Sequence, residues 1–267
     1  QFPCAAASWQ GAAFSAHRPS KRKASSGRLS TVFLSALATD DVIDFPDKKS
    51  VLAEVRKALM VGSDGNALEI GSSFYGIHAK HFAEAFPGMH WQPCIYDPFG
   101  DGENDGIAGD ADVGEDKADS GIASPVVFDS DTDWEAWPEV VRQRSGTFEF
   151  VYYASAAHMS PWEATCGLLQ GASRALRNNG RMIVHGPFKL SGEFMTASAE
   201  EFDASLRARN PTWGFHDAGE VEAGLLRLGM QMVQRRDMPN GNILMHFCKK
   251  PSSTPPKPTP NPKTRTL

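Results

Sequence analysis

The chain predicts an α/β fold, a doubly wound sheet closed by an antiparallel hairpin, and three observations carry that expectation. Residues 67 to 86, ALEIGSSFYGIHAKHFAEAF, run from a short apolar stretch through a small-residue break into a helical period. Further apolar runs of strand length alternate with helix-period segments, the pattern of a mostly parallel sheet. The last two such runs flank Asn240-Gly241, a turn pair suited to a hairpin, which supplies the reversed strand.

The elements follow in order. Leu52, Val55 and Leu59 mark a helical face between Asp47 and Met60, closed by Gly62-Ser63-Asp64-Gly65. Ala67 to Ile70 is too short for a helix and reads as a buried parallel strand. After Gly76, His78, Phe82, Ala85 and Phe86 line one helical face that ends at Pro87-Gly88. The loop between them lies at the carboxyl edge of the sheet, where open α/β folds bind ligands and helix N-terminal amides favour anions. His90 to Asp97 predicts a second strand ending in an acid, and Val126-Val127-Phe128 a third ending in Asp129. Acids at strand ends are acceptors for a nucleoside's hydroxyl and amino groups, or plain turn formers. Phe148 to Tyr153 predicts a strand that delivers His158 and a Ser160-Pro161-Trp162 turn to the same edge. Leu169, Ala172 and Leu176 mark the next helix, stopped by Asn178-Asn179-Gly180, and Arg181 to Phe188 the strand after it. Ser198 and Glu201 have capping-box spacing for a helix carrying Phe202 and Leu206. Val221, Gly224, Leu225 and Leu228 define the last helix, ended by Gly229, and the hairpin runs over Met230 to Arg235 and Ile243 to Phe247.

Composition divides the chain into an N-terminal segment 1–39, one globular domain 40–250 with a Gly/Asp-rich surface loop at 98–124, and a Pro-rich tail 251–267. The first 39 residues hold no acid and five basic residues, a transit-peptide composition. The Gly11-Ala12-Ala13-Phe14 string points to a plastid ahead of a mitochondrion. A basic tail or nucleic-acid arm in a cytoplasmic protein is the plainer alternative. Of 27 basic residues, eight lie in the two ends, leaving 19 against 32 acids, a net −13 for residues 40–250. That charge disfavours a nucleic-acid partner for the folded part. No apolar run is long enough to span a bilayer.

Cys4, Cys94, Cys166 and Cys248 form no CxxC, so neither a zinc nor a thioredoxin-like site is expected, and no metal is assigned. Residues 101–112 have partial calcium-loop spacing without flanking amphipathic helices. Gly71 and Gly76 have phosphate-loop spacing but lack the lysine, and neither Gly-x-Ser-x-Gly nor Gly-x-Gly-x-x-Gly occurs. His158 suits a general base, or is a bonded structural residue. His185 and His216 read as structural. Trp162 and Trp213 wall an acceptor pocket or pack. Arg207 and Arg209 sit on different helix faces, so at most one reaches an anionic acceptor.

The His158-Met159-Ser160-Pro161-Trp162 run, the Gly186-Pro187-Phe188 strand end, the stretch Phe202 to Gly214 (FDASLRARNPTWG) and Met238-Pro239 together resemble the methyltransferase-like 26 family, domain of unknown function 938, over residues 45 to 249. The resemblance implies the Rossmann-like, seven-stranded class I fold and S-adenosylmethionine as cofactor, with an unidentified small-molecule acceptor. It implies cofactor contacts from Glu69, Gly71, Ser72, Ser73 and Gly76, from Asp97 to the ribose, and from Asp129 to the adenine. Ser155 and catalytic His158 would then sit beside the reacting methyl, with Trp162, Phe188, Arg209 and Trp213 on the acceptor side. The glycine turn is one residue longer than the family's, and bulkier at Phe74-Tyr75. The acid after Trp91-Gln92-Pro93 is shifted to Asp97, and the family's Asn before the His motif is Ser155. Those departures define the alternative, a non-catalytic binding or scaffold protein on the same fold.

Overall fold

The structure is a computed structural model that describes residues 48–59, 63–71, 77–96, 121–128, 133–154 and 156–251. The N-terminal segment 1–39 with its transit-peptide composition, most of the acidic loop with its calcium-like spacing, and nearly all of the Pro-rich tail lie outside those residues.

Helix α1 (Lys48–Ala58) leads into β1 (Gly65–Ile70), α2 (Ile77–Ala85), β2 (Met89–Tyr96) and β3 (Val126–Phe128). A short α3 (Glu139–Arg142) precedes β4 (Phe148–Ala154), α4 (Trp162–Ala175) and β5 (Leu176–Pro187). Helices α5 (Ala197–Arg209) and α6 (Ala218–Arg227) then lead to the hairpin β6 (Met230–Asp237) and β7 (Asn242–Lys249). The seven strands lie in the order β3-β2-β1-β4-β5-β7-β6. All neighbours are parallel except β5 with β7 and β6 with β7. The chain reverses its winding between β1 and β4, which sets the ligand crevice of such sheets at their carboxyl ends.

Strands β1 and β4 are apolar on both faces because both faces are covered. Leu68, Ile70, Val151, Tyr153 and Val184 form one core with Leu168, Leu169 and Ala172 of α4 and Val221 and Leu225 of α6. Ala67, Phe150, Tyr152 and Ile183 form the other with Val51 and Val55 of α1 and Ala79 and Phe82 of α2. The expected faces of α1 and α2 are thus the buried ones. Gly121 to Ala123, at the end of the acidic loop, lie along β2. The Trp91 amide donates to the Gly121 carbonyl and the Ala123 amide to the Trp91 carbonyl, both at 2.8 Å.

Two expectations at helix ends are corrected. Helix α4 stops at Ala175, and Leu176 to Gly180 already belong to β5. The stop comes from a distant side chain, since Lys249 Nζ donates to the carbonyls of Ser173 at 2.8 Å and Leu176 at 2.7 Å. A cation there satisfies orphan carbonyls and complements the helix dipole. In α5 the cap is Thr196, whose Oγ1 accepts the Ala199 amide at 3.1 Å, with Ser198 already inside the first turn.

Candidate functional site at the carboxyl ends of β1, β4 and β5

Strand β1 ends at Gly71, which has φ +80° and donates its amide to the Cys94 carbonyl at 3.0 Å. A Cβ there would stand 2.0 Å from the Ala154 carbonyl oxygen. Glycine therefore lets the ends of β1 and β4 touch as the chain turns out of the sheet. Glu69, two residues earlier, is fully buried. Its carboxylate accepts from His78 Nδ1 at 2.9 Å and from the Ala79 amide at 3.2 Å. It is therefore committed to the first turn of α2, where a negative charge is favoured. The other expected cofactor residues, Ser72, Ser73, Gly76, Asp97, Asp129 and Ser155, lie outside the described residues.

After β4, the single turn Ala157–Met159 carries His158. Buried Ser160 locks that turn, its hydroxyl lying 3.1 Å and 3.2 Å from the Ala156 and Ala157 carbonyls and 2.8 Å from Thr165 Oγ1. The His158 carbonyl accepts the Gly214 amide at 3.0 Å. The neighbouring Phe215 amide donates to Asp203 Oδ1 at 2.6 Å, and Asp203 holds Arg207 at 2.7 and 3.2 Å. Burial pushes the Asp203 carboxyl up, but Arg207 and the Phe215 amide outweigh it and leave its pKa below the ordinary value. Helix α5 is thereby tied to the turn that presents His158.

The His158 ring is buried, 5.7 Å from the Phe202 ring and 6.4 Å from that of Phe215 between centroids. Its Nδ1 is sealed from solvent with no hydrogen-bond partner, so Nε2 is the nitrogen a ligand can reach. Burial, and secondarily His216, pushes its pKa down to about 4, so the ring is neutral at physiological pH.

A cavity of about 280 Å³ opens beside it, walled by Pro187, Ala199, Phe202 and Phe215. Ser198, Asn240 and Asn242 complete the lining, so the tip of the β6–β7 hairpin faces the start of α5 across it. Of the expected catalytic and acceptor-side residues, His158 alone lines this cavity. Phe188 is buried in the main core and Trp213 in a small cluster with Ala199, Leu206 and Phe215. Trp162 packs on His216 at 5.0 Å, and Arg209 is exposed on α5. His216 Nε2 lies 3.2 Å from the Ser160 carbonyl, and His185 Nδ1 lies 2.9 Å from the Tyr152 hydroxyl, structural positions for both. In the sequence Phe202 belongs to a helix face and to the family-like stretch without a site role, and Phe215 to neither, because no local pattern marks a residue that meets its partners across the fold.

Comparison with solved structures shows the class I methyltransferase fold. An O-methyltransferase family protein from Burkholderia thailandensis matches with a TM-score of 0.55 at 11% identity, over 82% of this chain and 63% of its own. PigF with SAH matches with a TM-score of 0.55 at 15% identity, over 74% and 54%. A pericyclic reaction enzyme matches with a TM-score of 0.53 at 15% identity, over 73% and 47%. This chain spans between 47% and 63% of the length of these three structures. At the level of sequence, a family model described as a protein of unknown function, DUF938, matches residues 46–249. With that match over most of its length, and with the strand order and reversed hairpin of the class I methyltransferases, the chain belongs to the DUF938 family.

Proposed function

We propose that the protein is an S-adenosylmethionine-dependent methyltransferase whose small acceptor enters the cavity beside His158. The observation that carries this is a buried imidazole, kept neutral by desolvation, that sits one turn past β4 and lines a cavity with Pro187 at the carboxyl end of β5. The fold, and a neighbour whose structure is described as containing SAH, support it.

Gly71 turns the chain out of the sheet at the end of β1, the edge where open α/β folds bind nucleosides, and its missing Cβ faces β4 and not a ligand. Gly71, Ser72, Ser73, Gly76, Asp97, Asp129 and Ser155 would hold S-adenosylmethionine, with Glu69 acting through α2. When bound, that group supplies an electrophilic methyl on a sulfonium sulfur. His158 Nε2 faces the acceptor atom and receives its proton. A hydroxyl oxygen that has gained a methyl holds its proton far less tightly than a ring nitrogen with a pKa near 4, so a weak base suffices if it acts late. The remaining acceleration comes from positioning and exclusion of water by the cavity walls. Phe188 and Trp213 contribute by packing near the cavity walls.

One observation favours a second reading, a binding or scaffold module without turnover. His158 Nδ1 has no acceptor to fix the tautomer, whereas a general base is ordinarily oriented through its other nitrogen. The pericyclic reaction enzyme among the neighbours also illustrates that the fold does not dictate the chemistry. Calorimetric titration of the full chain with S-adenosylhomocysteine, repeated with Asp129→Ala, separates the two. Saturable binding lost in the variant supports the enzyme. Absence of both heat and thermal shift at millimolar ligand supports the module. For the acid-free N-terminal segment we propose organelle import, with the plastid first, tested by the location of a fluorescent fusion to residues 1–39.

A further inference from the structure

We propose that the His158 cavity selects an uncharged, flat aromatic molecule bearing a hydroxyl group, its ring against Phe202 and Phe215 and its hydroxyl on His158 Nε2. As a statement about the acceptor it rests on the methyltransferase reading, and as a statement about binding it stands alone.

Charge is the first argument. Among the described residues none that lines the cavity carries a charged side chain. Two charges behind the walls are engaged elsewhere, Asp203 with Arg207 and the Phe215 amide, and Lys189 Nζ at 4.3 Å from the centre of the Phe194 ring, while Glu200 and Glu201 are exposed to solvent on α5. A carboxylate, phosphate or ammonium group entering here would lose its water without gaining a counter-ion. His158, neutral and reachable only through Nε2, offers a single hydrogen bond.

Shape is the second. The rings of His158, Phe202 and Phe215 stand 5.7 to 6.4 Å apart with interplanar angles of 56° to 74°, so an inserted ring meets faces on one side and edges on another. Both are favourable aromatic geometries. Phe202 is the informative member, because it lines the cavity and is still 43% exposed. An apolar ring left that open at the wall of a cavity gains burial only when something flat covers it. A volume of about 280 Å³ lies at the small end for ligand sites and admits one or two fused rings. At the rim, exposed Ser198 and Asn240 remain for a polar substituent on the far side.

The test is binding of four probes to the full chain by calorimetry and saturation-transfer NMR, with and without S-adenosylhomocysteine. The probes are 2-naphthol, 2-naphthoate, 2-naphthylmethylammonium and decahydro-2-naphthol. We expect 2-naphthol to bind about tenfold or more tighter than each of the other three. Phe202→Ala should weaken 2-naphthol about fivefold or more, and Phe202→Leu should act in the same direction. His158→Phe, which removes the hydrogen bond and keeps the ring, should weaken 2-naphthol about fivefold or more. Equal or tighter binding of either charged probe, equal binding of the saturated alcohol, or no binding of any probe overturns the proposal. If 2-naphthol binds as expected but S-adenosylhomocysteine does not, the methyltransferase reading fails while this one survives. If the nucleoside binds and 2-naphthol does not, the reverse holds.

Discussion

Gly71 and His158 each answer to one physical requirement, and each can be tested by changing one side chain. At Gly71 a methyl group would meet both a left-handed φ of +80° and the Ala154 carbonyl. Gly71→Ala should therefore cost about 2–4 kcal/mol, seen as a drop in melting temperature of about 5–15 °C. A change under about 1 °C would mean that the strand end relaxes freely. For His158, burial holds the ring neutral down to about pH 4. Its Cε1–H resonance should stay unshifted between pH 8 and 5.5, where an exposed imidazole titrates. A midpoint near 6.5 would remove the basis for a desolvated imidazole. Both residues were legible in sequence, the glycine because it breaks an apolar run and the histidine because it follows a strand. Phe202 was legible as helix and as part of the family-like stretch but not as a site residue, since its value lies in Phe215 and His158, which lie on other elements.

At the scale of elements, helix ends show where local signals yield to distant partners. Asn178-Asn179-Gly180 has the chemistry of a helix stop, but Lys249 reaches the carbonyls at the end of α4 first, and β5 begins five residues earlier than expected. Lys249→Met keeps the stem while removing the donor, and should cost about 1–2 kcal/mol in urea unfolding. An unchanged midpoint would mean that water replaces the ammonium without loss. Helix α5 is tied down by Asp203, which accepts from Arg207 and from the Phe215 amide. Asp203→Ala leaves that buried amide unpaired. The expected cost is about 2 kcal/mol, with weaker binding in the cavity that α5 and Phe215 wall. Retained affinity in that variant, measured with 2-naphthol, would show that Phe215 needs no anchor. The sequence places Arg207 and Arg209 on different helix faces, and neither the Asp203 partner of Arg207 nor the link to the His158 turn through Gly214 was visible in it.

Across the whole molecule, three buried histidines should make stability fall in acid. Burial pushes His158, His185 and His246 down to about 4 from 6.5, with smaller contributions from His216, His78 and Arg181 respectively, and Glu54 opposing at His246. Unfolded, each takes a proton near 6.5, so between 6.5 and 4 the unfolded chain binds more protons and stability falls as pH falls. For His158 and His185 the loss is on the order of 3 kcal/mol each by pH 4. Urea midpoints measured at pH 7.5 and 4.5 should show it, and His185→Gln should shallow the slope. A flat profile would show that the rings are solvated or find partners when charged. By itself the sequence determined the order of strands and helices, the reversed hairpin, the glycine at the end of β1 and the strand-end position of His158. Each of these follows from period, turn chemistry or steric need within a few residues. Only the tertiary structure decided that Lys249 ends α4, that Glu69 serves α2, and that Phe202, Phe215 and the Asn240 turn enclose one cavity with His158. Those pairings join residues from nine to more than seventy positions apart, and they arise from the packing of helices and hairpin on a shared sheet edge, which no window of neighbouring residues encodes.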